Sequence, residues 1–261
     1  MKKISAVLIT YNEEGKILRA LKSLEAVSDE IIVVDSYSSD GTVEICRQFT
    51  DQVLLRAWDG YRRQKQFATD QAKHDWVLSL DGDEMLSPQL AEELLEWKTT
   101  GSDCRGYYLP RKTFFMGRWI EHTTWFPDWQ LRLFEKTSGC WQGGRVHESF
   151  KVTGLTGRFR GQIHHHTYAS FSEYLEQLER FSSLAAQDQF DSGARAHWGH
   201  VLLYPPAIFL KNYLLRRGFL DGLPGLAVSL LAAVSTLFKY LKLWELQSQQ
   251  TGKSPCDFQD G

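Results

Sequence analysis

The first hundred residues alternate short apolar runs with longer segments in which apolar residues recur at helical spacing. The short runs predict strands buried on both faces, at 4–9, 31–34, 52–56 and 76–80. The periodic segments predict the helices that follow them, at 18–24, 43–49, 61–73 and 88–98. The last of these begins with Ser87 as its N-cap and Pro88 at its first position. Four strand-to-helix units in succession predict a doubly wound, mostly parallel sheet flanked by helices.

The C-terminal third has a different pattern. A helix is predicted at 171–186, and Pro205 and Pro206 are expected to break the chain before a second helix that runs to residue 217. Residues 222–238 carry no charge, and their length of 17 residues is about the lower limit for a membrane-spanning helix. Their pattern, however, is amphipathic rather than uniformly apolar. The polar arc consists of Ser229, Ser235, Thr236, Lys239 and Lys242, and the apolar arc of Leu226, Leu230, Leu231, Val234, Leu237, Phe238, Leu241 and Trp244.

This amphipathic helix has two possible neighbours. Lys211, Arg216 and Arg217 precede it, and with its own two lysines they favour a helix lying in a membrane interface with its apolar face in the acyl chains. Alternatively, the apolar face packs on the rest of the chain or on another subunit. The polar tail at 247–261 is expected to be disordered.

Composition narrows the class of protein. The chain has 261 residues and a formal charge of −2, with 24% charged and 43% hydrophobic residues, which argues against both nucleic-acid binding and disorder. Its four cysteines show no paired spacing, so neither a zinc site nor a disulfide framework is indicated. The first apolar run is too short for a signal peptide, and we expect the chain to remain inside the cell.

Three carboxylates follow the fourth predicted strand, in the sequence Leu80-Asp81-Gly82-Asp83-Glu84. Two aspartates separated by a glycine can both face one hard cation, and Mg²⁺ or Mn²⁺ held in this way takes its other ligands from water and substrate phosphates. A polar turn is the alternative. Glu84 has no predicted chemistry beyond support of its neighbours.

Polar residues also follow the first two strands. The first strand leads into Thr10, Tyr11, Asn12 and Glu13, and the second ends at Asp35, a position suited to a ribose hydroxyl or a base. Asp40 and Thr42 are better explained as caps of the next helix. In the helix at 61–73, Arg62, Arg63 and Lys65 are either diphosphate ligands or members of a solvated face.

These motifs resemble the family 2 inverting glycosyltransferases of GT-A type, whose pattern has strands ending in T-Y-N-E, V-D-S-x-S-x-D-G-T and L-D-x-D-E. The resemblance implies a nucleotide-sugar site and a metal on the sugar-nucleotide diphosphate. The implied nucleotide-sugar ligands are Thr10, Tyr11, Asn12, Glu13, Asp35, Asp81 and Gly82, with Lys65 and Arg132 as further candidates. The implied metal ligands are Asp81 and Asp83, and His166 is a candidate by position.

The middle segment carries G-x-W-I, P-D-x-Q-x-R-L-F and V-H-E in succession, ending with Val146-His147-Glu148. This order is similar to the lipopolysaccharide core β-1,4-glucosyltransferase branch of the family. The similarity implies UDP-glucose as donor and a heptose of the inner core, carried on a lipid, as acceptor. It also implies that the enzyme acts at the cytoplasmic face of the inner membrane.

Inversion requires a general base that lies away from the metal. We predict Asp128 for this role, with Glu148 as the alternative base. If Asp128 is instead purely structural, it is a turn residue after Pro127. Trp125, Phe126 and Trp129 are expected to surround Asp128, to stack on a sugar and to raise the carboxyl pKa by desolvation. Arg132 either meets the diphosphate or is a strand arginine buried against Glu135 or Glu148.

Four segments are predicted: a nucleotide-sugar-binding half at 1–100, an acceptor-binding and catalytic half of the same domain at 101–170, C-terminal helices at 171–246 and the tail at 247–261. Two alternatives remain open. In one, the enzyme serves another acceptor, such as a capsular or lipid-linked saccharide or a peptide. In the other, the chain binds nucleotide sugars at a membrane without turnover. The oligomeric state is not encoded in these patterns.

Overall fold

A computed structural model describes residues 1–101, 103–144, 148–168 and 170–250. The strands are β1 Ile4–Thr10, β2 Glu30–Asp35, β3 Val53–Leu55, β4 Trp76–Asp81, β5 Glu84–Leu86, β6 Gly106–Phe115, β7 Arg118–Trp119, β8 Asp128–Glu135, β9 Gly139–Gln142, β10 Ser149–Val152, β11 Thr156–Arg158 and β12 Ile163–His165. The α-helices are α1 Ile17–Leu24, α2 Thr42–Cys46, α3 Tyr61–Gln71, α4 Pro88–Thr100, α5 Phe171–Asp191, α6 Trp198–Leu210 and α7 Gly222–Gln250.

The chain forms two compact units. The first comprises residues 1–114 and 126–167, and the second comprises residues 115–125 with the chain from 168 onward. The first unit therefore holds nearly all of the sheet, and the second holds the last three α-helices. A segment from the middle of the chain contributes to the second unit.

The main sheet of the first unit follows the order β3-β2-β1-β4-β8-β6-β12-β5. β1 pairs in parallel with β2 and β4, and β2 pairs in parallel with β3, whereas β8 is antiparallel to both β4 and β6. β4 and β5 are separated by two residues in the chain, yet they lie in the middle and at the end of this order. The sheet must therefore curl so that its last strand returns to the carboxyl end of β4.

Burial of both faces explains the uninterrupted apolar runs. Every residue of β1 and of β2 is buried. α1 covers one face with Ile17, Ala20, Leu21 and Leu24, while Leu18, which the sequence pattern includes in the apolar set, is 38% exposed. The mixed, mostly parallel sheet with flanking helices is thus confirmed, and the inward face of α1 is rotated slightly from the predicted one.

The start of α4 follows the prediction closely. Ser87 Oγ accepts a hydrogen bond from Leu90 N at 3.2 Å, and Pro88 occupies the first helical position. The same hydroxyl accepts a second bond from Gln162 N at 3.0 Å, just before β12. The cap therefore also anchors the helix to the far end of the sheet.

The second unit has its own core. Tyr174 and Leu178 of α5 pack with Val228 and Leu231 of α7 and with the buried ring of Phe115. The fully buried carboxylate of Asp221 accepts bonds from the backbone N–H groups of Glu121 and His122 and holds the 115–125 segment to the connection before α7.

Two predictions for the C-terminal helices are wrong. Pro205 and Pro206 do not break the chain, because α6 continues through them to Leu210 and is followed by a π-helical turn, Lys211–Leu215. Two missing N–H groups cost backbone hydrogen bonds, but the extensive packing of α6 on α7 retains the helix. The polar tail is helical up to Gln250; residues 251–261 lie outside the described part of the chain.

The orientation of α7 is the more consequential difference. Its predicted polar arc faces protein: Ser229 is fully buried, and Lys242 Nζ donates to Ser182 Oγ at 2.8 Å and Ser183 Oγ at 2.7 Å on α5. Its predicted apolar arc includes Leu230 and Leu241, which are 49% and 47% exposed. Leu231, of the same arc, is buried, so the helix turns only part of its apolar side away from the protein.

Candidate functional site

The site begins where three parallel strands end side by side. In the registers of β1 with its two neighbours, Thr10 lies opposite Asp35, and Ile9 lies opposite Asp81. The carboxyl ends of parallel strands are the usual ligand edge of an open α/β sheet. The three loops predicted to bind a ligand therefore start from one edge.

The first two loops are joined by hydrogen bonds. Asp35 is fully buried, and its carboxylate accepts bonds from Thr10 Oγ1 at 2.9 Å and from Ser38 N at 2.8 Å. Asn12, in a left-handed conformation at φ 55°, donates from its backbone N to Ser38 Oγ and accepts from Ser39 N, both at 2.8 Å. These bonds fix the loops and leave the ring of Tyr11 59% exposed above them.

Glu13 belongs to the same assembly. Its backbone N donates to Thr42 Oγ1 at 2.8 Å, and its Cγ lies 3.2 Å from the position that a Cβ would take at Gly82. A side chain at residue 82 would also meet Thr10 Cγ2 at 3.3 Å. Glycine therefore allows the third loop to approach the first.

The predicted caps of α2 act in a modified way. Asp40 Oδ1 accepts from Thr42 N at 3.1 Å, as a capping carboxylate would, but the N-cap position itself belongs to Gly41. Asp40 also accepts from Glu14 N at 3.1 Å. Both residues thus serve the loop structure, as the sequence indicated.

Asp81 lies between two buried cations. Arg132 donates to its Oδ2 at 2.7 Å, and Lys65 Nζ lies 2.9 Å from its Oδ1. Burial alone would raise the pKa of Asp81, but the charges of Arg132 and Lys65 outweigh that effect and hold the pKa far below its ordinary value. Asp81 is therefore ionised at neutral pH.

Glu84 is the centre of this ion network. Its side chain is fully buried; Oε1 accepts from Arg132 at 2.9 Å and from Arg111 at 3.0 Å, and Oε2 accepts from Asp81 N at 3.0 Å. A buried carboxylate with cationic partners and a backbone donor has its acceptor capacity used within the protein. Its role is to hold the arginines, which agrees with its expected support of neighbouring residues.

Arg111 connects Asp128 to Glu84. The guanidinium donates to Asp128 Oδ2 from Nε at 2.9 Å and from a terminal nitrogen at 2.6 Å, while Gln130 donates to Oδ1 at 2.8 Å. Burial would lower the pKa of Arg111, but Glu84 and Asp128 together raise it above its ordinary value. One arginine thus connects the predicted base with the group that supports Asp81.

The surroundings of Asp128 differ from the aromatic shell that the sequence predicts. Its described partners are Arg111 and Gln130. The ring of Phe126 lies 5.7 Å from Lys112 Nζ, and the ring of Trp129 lies 4.8 Å from the guanidinium of Arg158. Trp125 lies in the second unit, 5.3 Å from the ring of Phe115. The described hydrogen-bond partners of this carboxylate are therefore one guanidinium and one amide.

Glu148, the alternative base, is also paired. Its Oε1 accepts from Lys65 Nζ at 2.7 Å, and Lys65 is itself buried. Lys65 therefore bridges Glu148 and Asp81, whereas Arg62 and Arg63 are exposed on the same helix. The residues Val146 and His147 of the V-H-E motif lie outside the described part of the chain.

Asp83 pairs with a histidine, but with a different one from that expected. His165 Nε2 lies 3.2 Å from Asp83 Oδ2, while His166 contributes its backbone N, which donates to Asp83 O at 3.0 Å. Burial would raise the pKa of Asp83, and the neighbouring His165 outweighs it and lowers the pKa. β12 ends at His165, and strand alternation turns its side chain away from the face that His164 and His166 share.

The donor set fits a hard divalent cation. Asp81 and Asp83 are both held ionised, and carboxylate oxygens are the ligands that Mg²⁺ and Mn²⁺ prefer. Within the described ranges, no group of three or more His, Cys, Asp or Glu side chains is arranged around a metal position. Such a cation would thus rely on water and substrate oxygens for its remaining ligands, as Mg²⁺ commonly does.

One participant, Arg111, was missed by sequence reasoning. Of the three consecutive histidines 164–166, only His166 was proposed as a metal ligand, whereas His165 is the one that contacts Asp83. Arg132 was predicted as a diphosphate ligand or as a strand arginine buried against Glu135 or Glu148, and it lies against Asp81 and Glu84. β6 carries Arg111 and Lys112 between apolar residues, and a charge inside a strand was a usable signal, because an unpaired buried charge is costly. Its partner was hidden, because the pairing of Arg111 with Asp128 depends on the β6–β8 register.

Comparison with known proteins gives one family. A model of glycosyl transferase family 2 matches residues 5–160. The chain is 31% identical over 257 residues to an uncharacterized glycosyltransferase of Rickettsia prowazekii, covering 94% of this chain and 88% of the relative. It is 28% identical over 249 residues to the lipopolysaccharide core biosynthesis glycosyltransferase LpsC of Rhizobium meliloti, covering 93% of this chain and 92% of LpsC.

Solved structures give more distant similarities. Residues 1–349 of S. aureus TarS, in complex with UDP-GlcNAc, align with a TM-score of 0.48 and 15% identity, covering 99% of this chain and 95% of that one. Glucosyl-3-phosphoglycerate synthase of Mycobacterium tuberculosis, with Mn²⁺ and UDP-glucose, aligns with a TM-score of 0.36 and 24% identity over 43% of each chain.

Proposed function

Because this chain belongs to glycosyltransferase family 2, we propose that it transfers a hexosyl group, with inversion, from a nucleotide diphosphate sugar to a saccharide acceptor carried on a lipid. The proposed donor is UDP-glucose and the proposed acceptor a heptose of the lipopolysaccharide inner core. The name of the relative LpsC, which is similar along almost its whole length, supports this class of acceptor.

The observation that carries the proposal is the position of Asp81. It lies where β4 ends beside β1, and the β1 and β2 loops are tied together next to it by the Thr10–Asp35 bond. A nucleotide bound by those loops would direct its diphosphate toward Asp81, Lys65 and Arg132. The two cations supply positive charge for phosphate oxygens. Asp35, which is fully buried and accepts bonds from Thr10 and Ser38, would hold in place the loops that bind the nucleoside.

Asp83 and Asp81 would hold Mg²⁺ or Mn²⁺, which when bound supplies positive charge against the departing diphosphate. Lys65 and Arg132 would then share the phosphate oxygens. His165 orients Asp83 through their 3.2 Å contact. His166, the metal ligand suggested by the resemblance, is bonded to Asp83 through its backbone N–H. Its side chain is a weaker candidate for a metal ligand than the two carboxylates.

Asp128 would act as the general base. An acceptor hydroxyl attacks the anomeric carbon, the bond from that carbon to the diphosphate oxygen breaks, and Asp128 receives the hydroxyl proton. Arg111 orients the carboxylate with two bonds, and Glu84 positions Arg111 in turn. Glu148 is the alternative base, but its bond to buried Lys65 favours a role in holding that lysine near Asp81.

The C-terminal helices support a position on the cytoplasmic face of the inner membrane, where a lipid-linked acceptor would be presented. The segment Gly218–Gln250 is long and apolar enough to cross a membrane by length and composition, which is weak evidence by itself. We propose peripheral association.

A donor screen tests the nucleotide half. A ligand that binds only the folded chain raises its melting temperature, so UDP-, GDP- and dTDP-sugars would each be tested with and without Mn²⁺. We expect the largest shift with UDP-glucose and Mn²⁺, and no shift with any nucleotide sugar contradicts the proposal.

A transfer assay tests the two carboxylates separately. Asp83→Ala should weaken the Mn²⁺-dependent shift, whereas Asp128→Asn should keep the shift and lose transfer by about 100-fold or more, since general-base catalysis contributes about 10²–10⁴-fold. If both variants are folded and transfer sugar at the original rate, the assignment is wrong.

A further inference from the structure

The second unit exposes an unusual amount of apolar side chain. α6, Trp198–Leu210, contains no charged residue, and none of its thirteen residues, all of which the structure describes, is buried. A helix that is apolar all round is normally buried in a large core or in a membrane. α6 has contact with α7 on one side, and much of its remaining surface has no cover within the described second unit.

The exposed residues continue into the turn after α6 and along α7. Their exposed fractions are large for apolar side chains of this size, well beyond scattered single residues. They are Trp198 (68%), Leu202 (61%), Leu203 (64%), Leu210 (51%), Leu214 (53%), Leu215 (80%), Phe219 (46%), Leu220 (51%), Leu223 (68%), Leu230 (49%) and Leu241 (47%). We call this set the apolar surface.

α7 has apolar side chains on two sides. Val228, Leu231 and Leu243 are buried in the second unit, whereas Leu223, Leu230 and Leu241, which at 100° per residue fall within about 20° of one line, are exposed. Lys242 lies on another side of the helix and is bonded to α5. A helix that is apolar on its outer side as well as on its inner side is suited to an apolar solvent.

The exposed charges next to the most exposed leucines are cationic. Between residues 193 and 244 there are six Lys and Arg residues and one acidic residue, Asp221, although the whole chain has a net charge of −2. One of the six, Lys242, is paired with Glu179 of α5. Asp221 is fully buried and accepts from His122 N. Lys211, Arg216 and Arg217, which lie next to Leu210, Leu214 and Leu215, are exposed.

From these observations we propose that the apolar surface inserts into one leaflet of an anionic lipid bilayer, with Lys211, Arg216 and Arg217 at the headgroups. This inference rests on the proposed function only for its location in the cell, and it specifies the lipid-binding residues. The cations are attracted to the anionic headgroups, and apolar burial of about 5–10 Å depth supplies the rest of the binding.

A second copy of the chain is the main competing occupant. A two-fold interface formed by the apolar surface would bring the two sets of exposed cations into the same interface, and like charges there are unfavourable. Acidic phospholipid headgroups neutralise them instead. The charge pattern therefore favours lipid over self-association.

Density-gradient flotation of the full chain with vesicles is the test. We expect the wild-type chain to float with phosphatidylglycerol-containing vesicles and at least about tenfold less with phosphatidylcholine alone, because three cations face the lipid. Leu203→Glu and Leu215→Glu should each reduce flotation by roughly tenfold or more. Lys211→Gln with Arg216→Gln should reduce the preference for the anionic lipid and its sensitivity to salt.

Leu155→Glu is the matched control. Leu155 is 68% exposed, as Leu203 is 64% exposed, but it lies in the first unit between β10 and β11. It should float like the wild type. Since all these leucines are exposed, the variants should fold, and the melting temperature of each checks this.

Three results would overturn the inference. They are the absence of wild-type flotation on every vesicle, retention in the vesicles after a wash at pH 11, which indicates a spanning helix, and a lipid-free dimer that Leu215→Glu dissociates. The UDP-sugar thermal shift is read on the same samples. A chain that floats without binding nucleotide sugars contradicts the proposed function alone, and a chain that binds them without floating contradicts this inference alone.

Discussion

At the scale of single residues, the site is a chain of shared charges. Lys65 contacts Glu148 and Asp81, Arg132 contacts Asp81 and Glu84, and Arg111 contacts Glu84 and Asp128. No cation in this series serves a single carboxylate. Replacement of any of the three cations therefore changes the surroundings of two carboxylates.

Glu84→Gln tests this coupling. The change removes the charge that Arg111 and Arg132 share, and we expect transfer to fall by about 10–100-fold, as for other groups that orient active-site ligands. The free energy of unfolding should also fall, by about 3 kcal/mol, because buried arginines lose a partner. Steady-state kinetics and urea unfolding measure the two effects.

Glu25→Gln is the control, because Glu25 is exposed at the end of α1. Glu25→Gln should leave the transfer rate and the free energy of unfolding unchanged from the wild type. Unchanged kcat in a folded Glu84→Gln variant would mean that the series of charges has only a structural role.

At the scale of elements, hydrogen bonds at helix and strand ends fix where each segment begins. Ser87→Ala removes the acceptor for both Leu90 N and Gln162 N. The loss of an N-cap costs about 1 kcal/mol, and the second, buried N–H adds to it, so we expect a decrease of about 1–3 kcal/mol in unfolding free energy. Urea denaturation is the measurement.

Thr99→Ala, near the exposed end of the same helix, is the comparison. Its hydroxyl donates to Glu96 O, and the change should stay within about 0.5 kcal/mol. Equal effects of the two substitutions would contradict the dual role of Ser87.

Some of the strands and helices could be predicted from the sequence, and others could not. β1, β2 and β4 were predictable because each is apolar and buried on both faces, and α4 because Ser87 and Pro88 mark its start. β5 and β12 are three residues each, and their pairing links residues about eighty positions apart, so no local pattern reveals it. The contacts of Glu84 with Arg111 and of Asp83 with His165 depend on that pairing.

The orientation of α7 could not be predicted for a different reason. The periodicity of a helix identifies two faces but does not say which of them meets protein. Lys242 is turned toward protein because Ser182 and Ser183 of α5 accept from its Nζ, and the buried hydroxyl of Ser229 donates to Gly225 O of its own helix. The sequence indicated the amphipathic helix correctly and left its neighbour open.

At the scale of the whole molecule, the edge of the sheet opposite the site responds to acid. Glu30, buried at the start of β2, accepts bonds from Ser5 Oγ at 2.6 Å, Gln52 Nε2 at 2.9 Å and Lys73 N at 2.9 Å, and so joins β1 and α3 to β2. Burial would raise its pKa, but these bonds lower it from 4.5 to about 2.

A lowered folded-state pKa stabilises the fold above the unfolded pKa. The contribution of Glu30 should therefore be complete above about pH 4.5 and be lost as the pH falls toward 2. In the Glu30→Gln variant, the fall in unfolding free energy between pH 4.5 and pH 2 should be about 1–2 kcal/mol smaller than in the wild type. Urea unfolding at several pH values measures it. Glu44→Gln, at an exposed position of α2, should leave the profile unchanged, and equal profiles for all three proteins would contradict the assignment.

The curl of the sheet has a consequence for chain length. Only Gly82 and Asp83 separate β4, which ends at Asp81, from β5, where Glu84 pairs with His165. One inserted residue would shift β5 against β12 and reverse the direction of each following side chain. Glu84 would leave the two arginines, and Asp83 would leave His165. This turn can therefore accept some substitutions, but neither insertions nor deletions.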